Sequence, residues 1–274
     1  MAQTLMFLGY HAEYGSYVCL NVGAALARQG KRILFVELED LLVSPLSSWV
    51  PPVASGIYDM LQGKSCDIAH RAGKTEWDII LPAATGERCY ETIDKFLTEW
   101  ENKPRLKGLL RDTLQPLESR YDYILIDGGD LINYARMAGF EVRLPLVAYN
   151  IFIPVLLAFH PDSYSNLGYF MERYKESIHQ TCAVEAVVFS QFYPKEPMQR
   201  RLINSCRECL AESTDIVTLD YNETMRDAFK IHQDIFEYAP SSKAALQIET
   251  MAWRLMEQSR HTEVTGTTET ETSK

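Results

Sequence analysis

The sequence predicts an α/β fold with a mostly parallel sheet and helices on both faces. Short apolar runs rich in β-branched residues alternate with amphipathic helical stretches along nearly the whole chain. Residues 3–9, 16–29 and 32–38 read as a strand, a helix and a second strand, which is a parallel crossover unit. The chain shows no internal repeat and no linker, so we predict a single domain over residues 1–260.

The remaining elements follow from the same periodicities. Gly30 and Gly63 are expected to end the first two helices. Further strands are predicted at residues 77–83, 121–130, 150–155, 183–192 and, as an edge strand, 215–221. Helical segments are predicted at residues 55–64, 89–117 with an interruption at Pro104, 196–211, 222–229 with Asn222 as N-cap, and 241–259, and residues 156–178 are predicted to form a loop followed by a helix. The Thr- and Glu-rich residues 261–274 are expected to be disordered.

Charge and composition exclude several classes of protein. The chain has 27 Lys and Arg against 37 Asp and Glu, and this net charge of −10 disfavours nonspecific DNA binding. No apolar run approaches the roughly 20 residues of a membrane-spanning helix, and the N-terminus lacks the basic region of a signal peptide. Six cysteines without an export signal are typical of reduced thiols. We therefore expect a cytoplasmic protein without a transmembrane segment.

Several stretches, taken in order, are similar to one family. The sequence LNVGAALARQGKRILFVELED resembles that family's first helix and second strand, and LRDTLQPLESRYDYILIDGGD resembles the helix and strand of its Walker B motif. Similar matches occur at residues 55–64, 150–171, 187–194 and 222–245. The family is the ParA/MinD group of deviant Walker A ATPases, within the SIMIBI class of P-loop proteins. The resemblance implies a P-loop NTPase fold over nearly the whole ordered chain.

The loop after the first strand departs from the family pattern. The family's KGGVGKTT aligns with residues 10–17, which read YHAEYGSY, so both lysines are missing and three glycines are reduced to Gly15. No lysine lies between Met1 and Lys31, and Glu13 adds a negative charge. A phosphate loop needs small residues, because successive backbone N–H groups curl around the anion, and its lysine faces the β- and γ-phosphates. The sequence therefore predicts a loop that is unsuited to a triphosphate.

Part of the family's nucleotide site is retained. Ser16 aligns with the hydroxyl that contacts Mg²⁺, Asp127 ends the Walker B-like strand, and Glu37 and Glu39 stand where the family has two aspartates. Each also has a simpler interpretation: a helix N-cap for the serine, an Asp-Gly-Gly turn for the aspartate and a solvated strand end for the glutamates. The candidate nucleotide-binding residues are Gly15, Ser16, Tyr17, Glu37, Glu39 and Asp127.

Other side chains give no catalytic motif and no metal-ligand set. Cys206 and Cys209 lie one helical turn apart, but a metal site needs two more ligands and no second cysteine pair is present. The last predicted helix has too few Lys and Arg on its polar face for a membrane-surface helix. Tyr10, Tyr14 and Tyr17 either form a contact surface, with Tyr10 and Tyr14 as interface candidates, or fill the empty phosphate pocket.

Two functions are consistent with these residues. The first is a ParA/MinD-like pseudo-ATPase without a cofactor. It would act as an adaptor or structural subunit in positioning, partition or assembly of a bacterial structure, as a homodimer or with a protein partner. The second is an atypical ATPase that uses ATP and Mg²⁺ and switches between monomer and dimer. The joint loss of lysines and glycines favours the first, so we expect no enzymatic activity.

Overall fold

A computed structural model of the 274-residue chain describes residues 2–10, 14–38, 46–82, 109–130, 155–159, 184–193, 195–209, 214–220 and 223–266. The strands in these ranges are β1 (Gln3–Tyr10), β2 (Ile33–Glu37), β3 (Ala69–Arg71), β4 (Trp77–Ile80), β5 (Tyr123–Asp130), β6 (Val155–Phe159), β7 (Val184–Phe192) and β8 (Asp215–Asp220). The α-helices are α1 (Tyr14–Arg28), α2 (Ile57–Leu61), α3 (Leu109–Leu114), α4 (Pro197–Cys209), α5 (Thr224–Lys230), α6 (Ile235–Tyr238) and α7 (Lys243–Gly266). Short 3₁₀ helices occur at Leu46–Trp49 and Gln115–Leu117.

The strands form one sheet in the order β3-β4-β2-β5-β1-β6-β7-β8. β3 pairs antiparallel with β4, and every other neighbouring pair is parallel. β8 lies at one edge, as predicted for residues 215–221. Parallel strands must be joined by crossovers, which is why helical stretches separate them along the chain.

Both faces of the sheet are buried. On the face that α1 covers, the core includes Leu5, Phe35 and Leu125. Met6 and Ile124 are equally buried and point to the opposite face, because side chains alternate across a strand. Helices α2 and α3 contact each other and bury side chains outside the α1-face core, namely Ile57, Tyr58, Leu61, Leu110 and Leu114. The prediction of a mostly parallel sheet with helices on both faces is confirmed.

Two glycines determine how α1 packs and where it ends. A Cβ atom on Gly23 would lie 2.2 Å from Phe35 Cζ, so only glycine allows this close approach of helix and sheet. Gly30 has φ +77°, the left-handed conformation of a helix C-terminus, and its N–H donates to the Ala27 carbonyl. The predicted helix stop at Gly30 is therefore confirmed, and Gly63 has the same conformation with φ +78°.

The structure also corrects several boundaries. β6 occupies 155–159, where the sequence predicted a loop leading into a helix, and the short strand β3 was not predicted. α5 begins at Thr224 with Glu223 as its N-cap residue, whereas the predicted cap, Asn222, lies outside the described residues. α7 continues to Gly266, seven residues beyond the end predicted for the last helix. The predicted helical segments at 89–108 and 160–178 also lie outside the described residues.

Candidate functional site

The carboxyl ends of β1, β2 and β5 meet at one edge of the sheet, beside the first turn of α1. β5 lies between β2 and β1 in the sheet. The chain leaves β1 towards β2 but leaves its neighbour β6 towards β7, so the two connections lead apart in opposite directions. Open α/β sheets bind ligands in the crevice that forms at such a switch point. The described candidate residues from the sequence all lie at this edge.

Glu37 and Asp127 place two buried carboxylates side by side. They are register partners on the parallel strands β2 and β5, which lie about 4.8 Å apart, and each is only 1% exposed. Both follow, by two positions, a residue of the α1-face core, Phe35 and Leu125, so both side chains lie on that face. Burial rules out the solvated strand end that the sequence left open for Glu37. Asp127 lies within a strand, not in a turn.

The two glycines after Asp127 also belong to β5. Between the register pairs Phe7–Asp127 and Gly9–Asp130, β5 contains one residue more than β1. Register shifts of this kind, which include β-bulges, bend a strand and often lie next to functional sites. The shift in β5 comes directly after Asp127.

The Cys19 thiol on α1 is close enough to Asp127 and Glu37 for their negative charges to act on it. Burial raises the pKa of Cys19 well above its usual range, and the negative charges of Asp127 and Glu37 raise it further. The thiolate is the nucleophilic form of cysteine, so a raised pKa makes this side chain inert. Cys19 is therefore a structural residue of the site and not a nucleophile.

We expect Cys19 to react with iodoacetamide at least about tenfold more slowly in the native chain than in the urea-unfolded chain, at about pH 8. The reason is that both its burial and the neighbouring carboxylates disfavour the thiolate. Peptide mass spectrometry after timed quenching separates Cys19 from the other cysteines. Equal rates in the native and unfolded chains would show that Cys19 is accessible and would contradict the geometry described here.

The first turn of α1 buries Ser16 and Tyr17. α1 begins at Tyr14, so Ser16, which is 4% exposed, lies inside the first turn and not at the N-cap position. The Tyr17 ring packs on Phe229 of α5, with ring centroids 4.6 Å apart. Tyr17 is thus a core residue and not part of a contact surface, which leaves Tyr10 and Tyr14 as the interface candidates.

A buried amide connects this helix to the C-terminal part of the chain. Asn21 Nδ2 donates to the Tyr17 carbonyl at 2.7 Å, and Asn21 Oδ1 accepts from the Ile235 N–H at 2.7 Å. Asn21 therefore satisfies the first backbone N–H of α6, which would otherwise be an unpaired donor at a helix N-terminus. The sequence analysis did not identify Asn21, because its partner lies 214 residues away.

The structure says less about the other site residues that the sequence predicted. Tyr10 ends β1 and Tyr14 begins α1, Gly15 is buried, and residues 11–13 and Glu39 lie outside the described residues. Among the described residues, no group of three His, Cys, Asp or Glu side chains could hold a metal ion. None of the described helices is both long enough and apolar enough to cross a bilayer.

The retained residues offer oxygen ligands but no positive charge for a triphosphate. Ser16, Glu37 and Asp127 offer oxygen atoms, which are the ligands that Mg²⁺ prefers. None of the three carries a positive charge, and the aligned loop, residues 10–17, contains neither lysine nor arginine. A nucleotide's β- and γ-phosphates would therefore meet carboxylates without the cation that normally balances them.

A second buried cluster centres on Arg71 of β3, which is 8% exposed. Its Nη2 donates to Glu237 Oε2 at 2.6 Å, and its Nη1 donates to the Thr75 carbonyl at 2.9 Å and lies 3.9 Å from Asp234 Oδ2. The guanidinium lies over the rings of Trp49 and Trp77, at 5.2 and 5.5 Å. The Thr75 hydroxyl donates to Asp234, which caps α6 through the N–H groups of Phe236 and Glu237.

Known proteins provide a comparison for this architecture. No family model matches the chain. Two curated proteins of Pseudomonas putida, both uncharacterised and one described as lying in the gidB 3′ region, are each 23% identical over 256 residues, which cover 91% of this chain and 92% of theirs. The septum site-determining protein MinD of Pyrococcus horikoshii, complexed with Mg-ADP, superposes with a TM-score of 0.62 at 16% identity, over 92% of this chain and 96% of that one.

Two further solved structures also superpose on most of this chain. A ParA family ATPase of Chlorobium tepidum TLS gives a TM-score of 0.63 at 15% identity, over 92% of this chain and 99% of that one. Apo McdA of Cyanthece gives a TM-score of 0.67 at 12% identity, over 93% of this chain and 100% of that one. The chain has the ParA/MinD fold. In the ParA/MinD fold the β1–α1 loop is the phosphate-binding loop, so Glu37 and Asp127 lie at the edge of the sheet where that loop is found.

Proposed function

We propose that this protein is a ParA/MinD-type pseudo-ATPase that acts as an adaptor or structural subunit in positioning, partition or assembly of a bacterial structure. The observation that carries the proposal is the composition of the loop at the end of β1. Residues 10–15 read YHAEYG, with one glycine, one acid and no lysine or arginine. The fold retains the scaffold of an ATPase, but its loop lacks the groups that hold and polarise a triphosphate.

Coulomb's law indicates how strongly the loss of the loop lysines weakens ATP binding. One unit charge about 4 Å from another contributes about 4 kcal/mol at an effective dielectric constant of about 20. Losing one lysine from the phosphates therefore weakens binding by about three orders of magnitude. Here both family lysines are missing, and Glu13 adds a negative charge to the loop sequence. ATP binding and hydrolysis are lost together.

The biological theme comes from the similar structures. MinD is named as a septum site-determining protein, and MinD of Aquifex aeolicus has been solved as a complex with MinC. By analogy, this chain associates with a second copy or with a protein partner, in the cytoplasm. Its net charge of −10 argues against nonspecific DNA binding. Tyr10 and Tyr14, at the two ends of the loop, are the proposed contact residues on the nucleotide face.

One observation favours a second candidate, an atypical ATPase with a nucleotide-dependent monomer–dimer switch. Ser16, Glu37 and Asp127 are all buried at the same edge of the sheet, and together they offer the oxygen ligands of a Mg²⁺ site. Under this alternative a nucleotide would have to obtain its positive charge from the metal ion or from a partner chain.

Analytical ultracentrifugation combined with a phosphate-release assay separates the two candidates. The pseudo-ATPase is expected to release no phosphate above background, and its sedimentation profile should be the same with and without MgATP. If a dimer forms through the tyrosines, Tyr14→Asp should dissociate it, because a charge would be buried at the contact. Tyr238→Asp, at a tyrosine that is 44% exposed on α6, is the matched control. MgATP-dependent dimerisation or phosphate release would support the ATPase instead.

A further inference from the structure

A polar hollow lies at the amino ends of the parallel strands, opposite the carboxyl ends where Glu37 and Asp127 lie. Its volume is about 520 Å³, and its lining comes from the end of α1, the β3–β4 turn and the residues immediately before β5. Lys31, Lys74 and Arg120 line it, one from each of these three segments. Three separate parts of the chain therefore bring a cation to the same concave surface of a protein whose net charge is −10.

One of the nearby carboxylates is balanced by a cation, and another is hydrogen-bonded inside the lining. Asp122 accepts hydrogen bonds from Arg32, with the salt bridge at 3.1 Å, and Arg32 holds the pKa of Asp122 below its usual range. Asp78 accepts from the Tyr121 hydroxyl at 2.7 Å and pairs with His70 Nδ1 at 2.8 Å. Arg32 therefore balances Asp122, whereas Asp78 keeps its negative charge in the lining of the hollow.

The lining cations outnumber the lining acids. Within the described residues, neither Lys31 nor Lys74 lies within salt-bridge distance of a carboxylate, and the Arg120 guanidinium lies over the Tyr121 ring, at 5.5 Å. Asp78 and Glu76 oppose these three cations with two negative charges. The hollow therefore has an excess of positive charge that internal contacts leave available to a ligand.

We propose that this hollow is a binding site for a small, multiply charged anion that carries phosphate or carboxylate groups. Its volume lies within the range of about 300–1,000 Å³ that is usual for small-molecule sites. Cations arranged around a concave surface concentrate anions there, since the low-dielectric walls focus the field. The site lies at the amino ends of β2, β4 and β5, so it is separate from the phosphate loop and does not depend on the proposed loss of ATP binding.

Isothermal titration calorimetry of the full chain at low salt tests the proposal, with inorganic pyrophosphate and citrate as probes. The double variant Lys31→Gln and Lys74→Gln is expected to weaken binding by at least about tenfold, because it removes two charge-assisted contacts. The control double variant Lys64→Gln and Lys230→Gln changes the net charge equally, at lysines of surface ion pairs away from the hollow, and should bind like the natural chain. Glu76→Gln should tighten binding.

The outcomes distinguish a phosphate ligand from a carboxylate ligand and show whether the hollow binds anions at all. Binding of pyrophosphate alone supports a phosphate ligand, binding of citrate alone supports a carboxylate ligand, and binding of both supports a general anion site. Raising the salt from about 50 to about 300 mM should weaken any such binding through screening. If neither probe binds, or if the Lys31/Lys74 variant binds as well as the control variant, the proposal is wrong. Urea unfolding of each variant confirms that the fold is unchanged.

Discussion

Arg71→Met is expected to lower the free energy of unfolding by about 3–5 kcal/mol, because it leaves two buried carboxylates without their counter-charge. Asp234 is fully buried, and the Glu237 side chain is 8% exposed. Methionine keeps much of the apolar contact with Trp49 and Trp77, so the loss reports mainly the charge. Urea titration followed by tryptophan fluorescence measures the change.

A surface arginine and the pH provide the controls for this prediction. Arg32→Met removes an ion pair whose arginine side chain is 59% exposed, so its effect should be small. Burial already raises the pKa of Asp234, so protonation favours the folded state, and this contribution is lost as the pH rises through the folded pKa. The Arg71→Met deficit should therefore be smaller at about pH 5 than at about pH 8. A pH-independent deficit equal to that of Arg32→Met would contradict the role assigned to Arg71.

The order of strands and helices was predictable because it depends on local patterns. Apolar runs such as ILFVE in β2 and the stop at Gly30 are visible in a few consecutive residues. β3 escaped prediction because the sequence AHR contains no apolar run, and its arginine is held by Glu237, 166 residues further along the chain. The end of β6 was misplaced because the apolar run continues to Phe159, whereas we ended the predicted strand at Val155.

The candidate site was only partly accessible from the sequence. Alignment with the ParA/MinD pattern identified Glu37 and Asp127, but their pairing requires β2 to lie next to β5, which is a long-range property of the sheet. The proximity of Cys19 to both carboxylates depends in addition on how α1 packs against that sheet. The sequence left two interpretations open for Tyr17, a contact surface or a filled pocket, because its partner Phe229 belongs to a distant helix.

Restoring the family loop is expected to restore nucleotide binding. A chain in which residues 10–15 are replaced by KGGVGK should bind MgATP at least about 100-fold more tightly than the natural chain, because two cations return and one acid is removed. Ser16 and Tyr17 are kept, since Tyr17 is buried against Phe229 and its loss would open a cavity. The substitutions are Tyr10→Lys, His11→Gly, Ala12→Gly, Glu13→Val, Tyr14→Gly and Gly15→Lys.

A matched graft isolates the role of the lysines. The same replacement with Tyr10 and Gly15 left unchanged should recover little affinity, since the glycines alone supply backbone donors but no charge facing the β- and γ-phosphates. Fluorescence titration with a labelled ATP analogue measures both grafts, and circular dichroism confirms their fold. If the complete graft folds but does not bind ATP, then Ser16, Glu37 and Asp127 do not form a usable site, and the loop is not the sole cause of the loss.

The central claim is that the natural loop cannot hold a triphosphate, and isothermal titration calorimetry of the natural chain with MgATP tests it most directly. With ATP raised to about 5 mM, we expect no heat beyond that of dilution, which corresponds to a Kd weaker than about 1 mM. A saturable isotherm with a Kd at or below about 10 µM would contradict the account. It would show that nucleotide binds to this fold without a lysine in the first turn of α1.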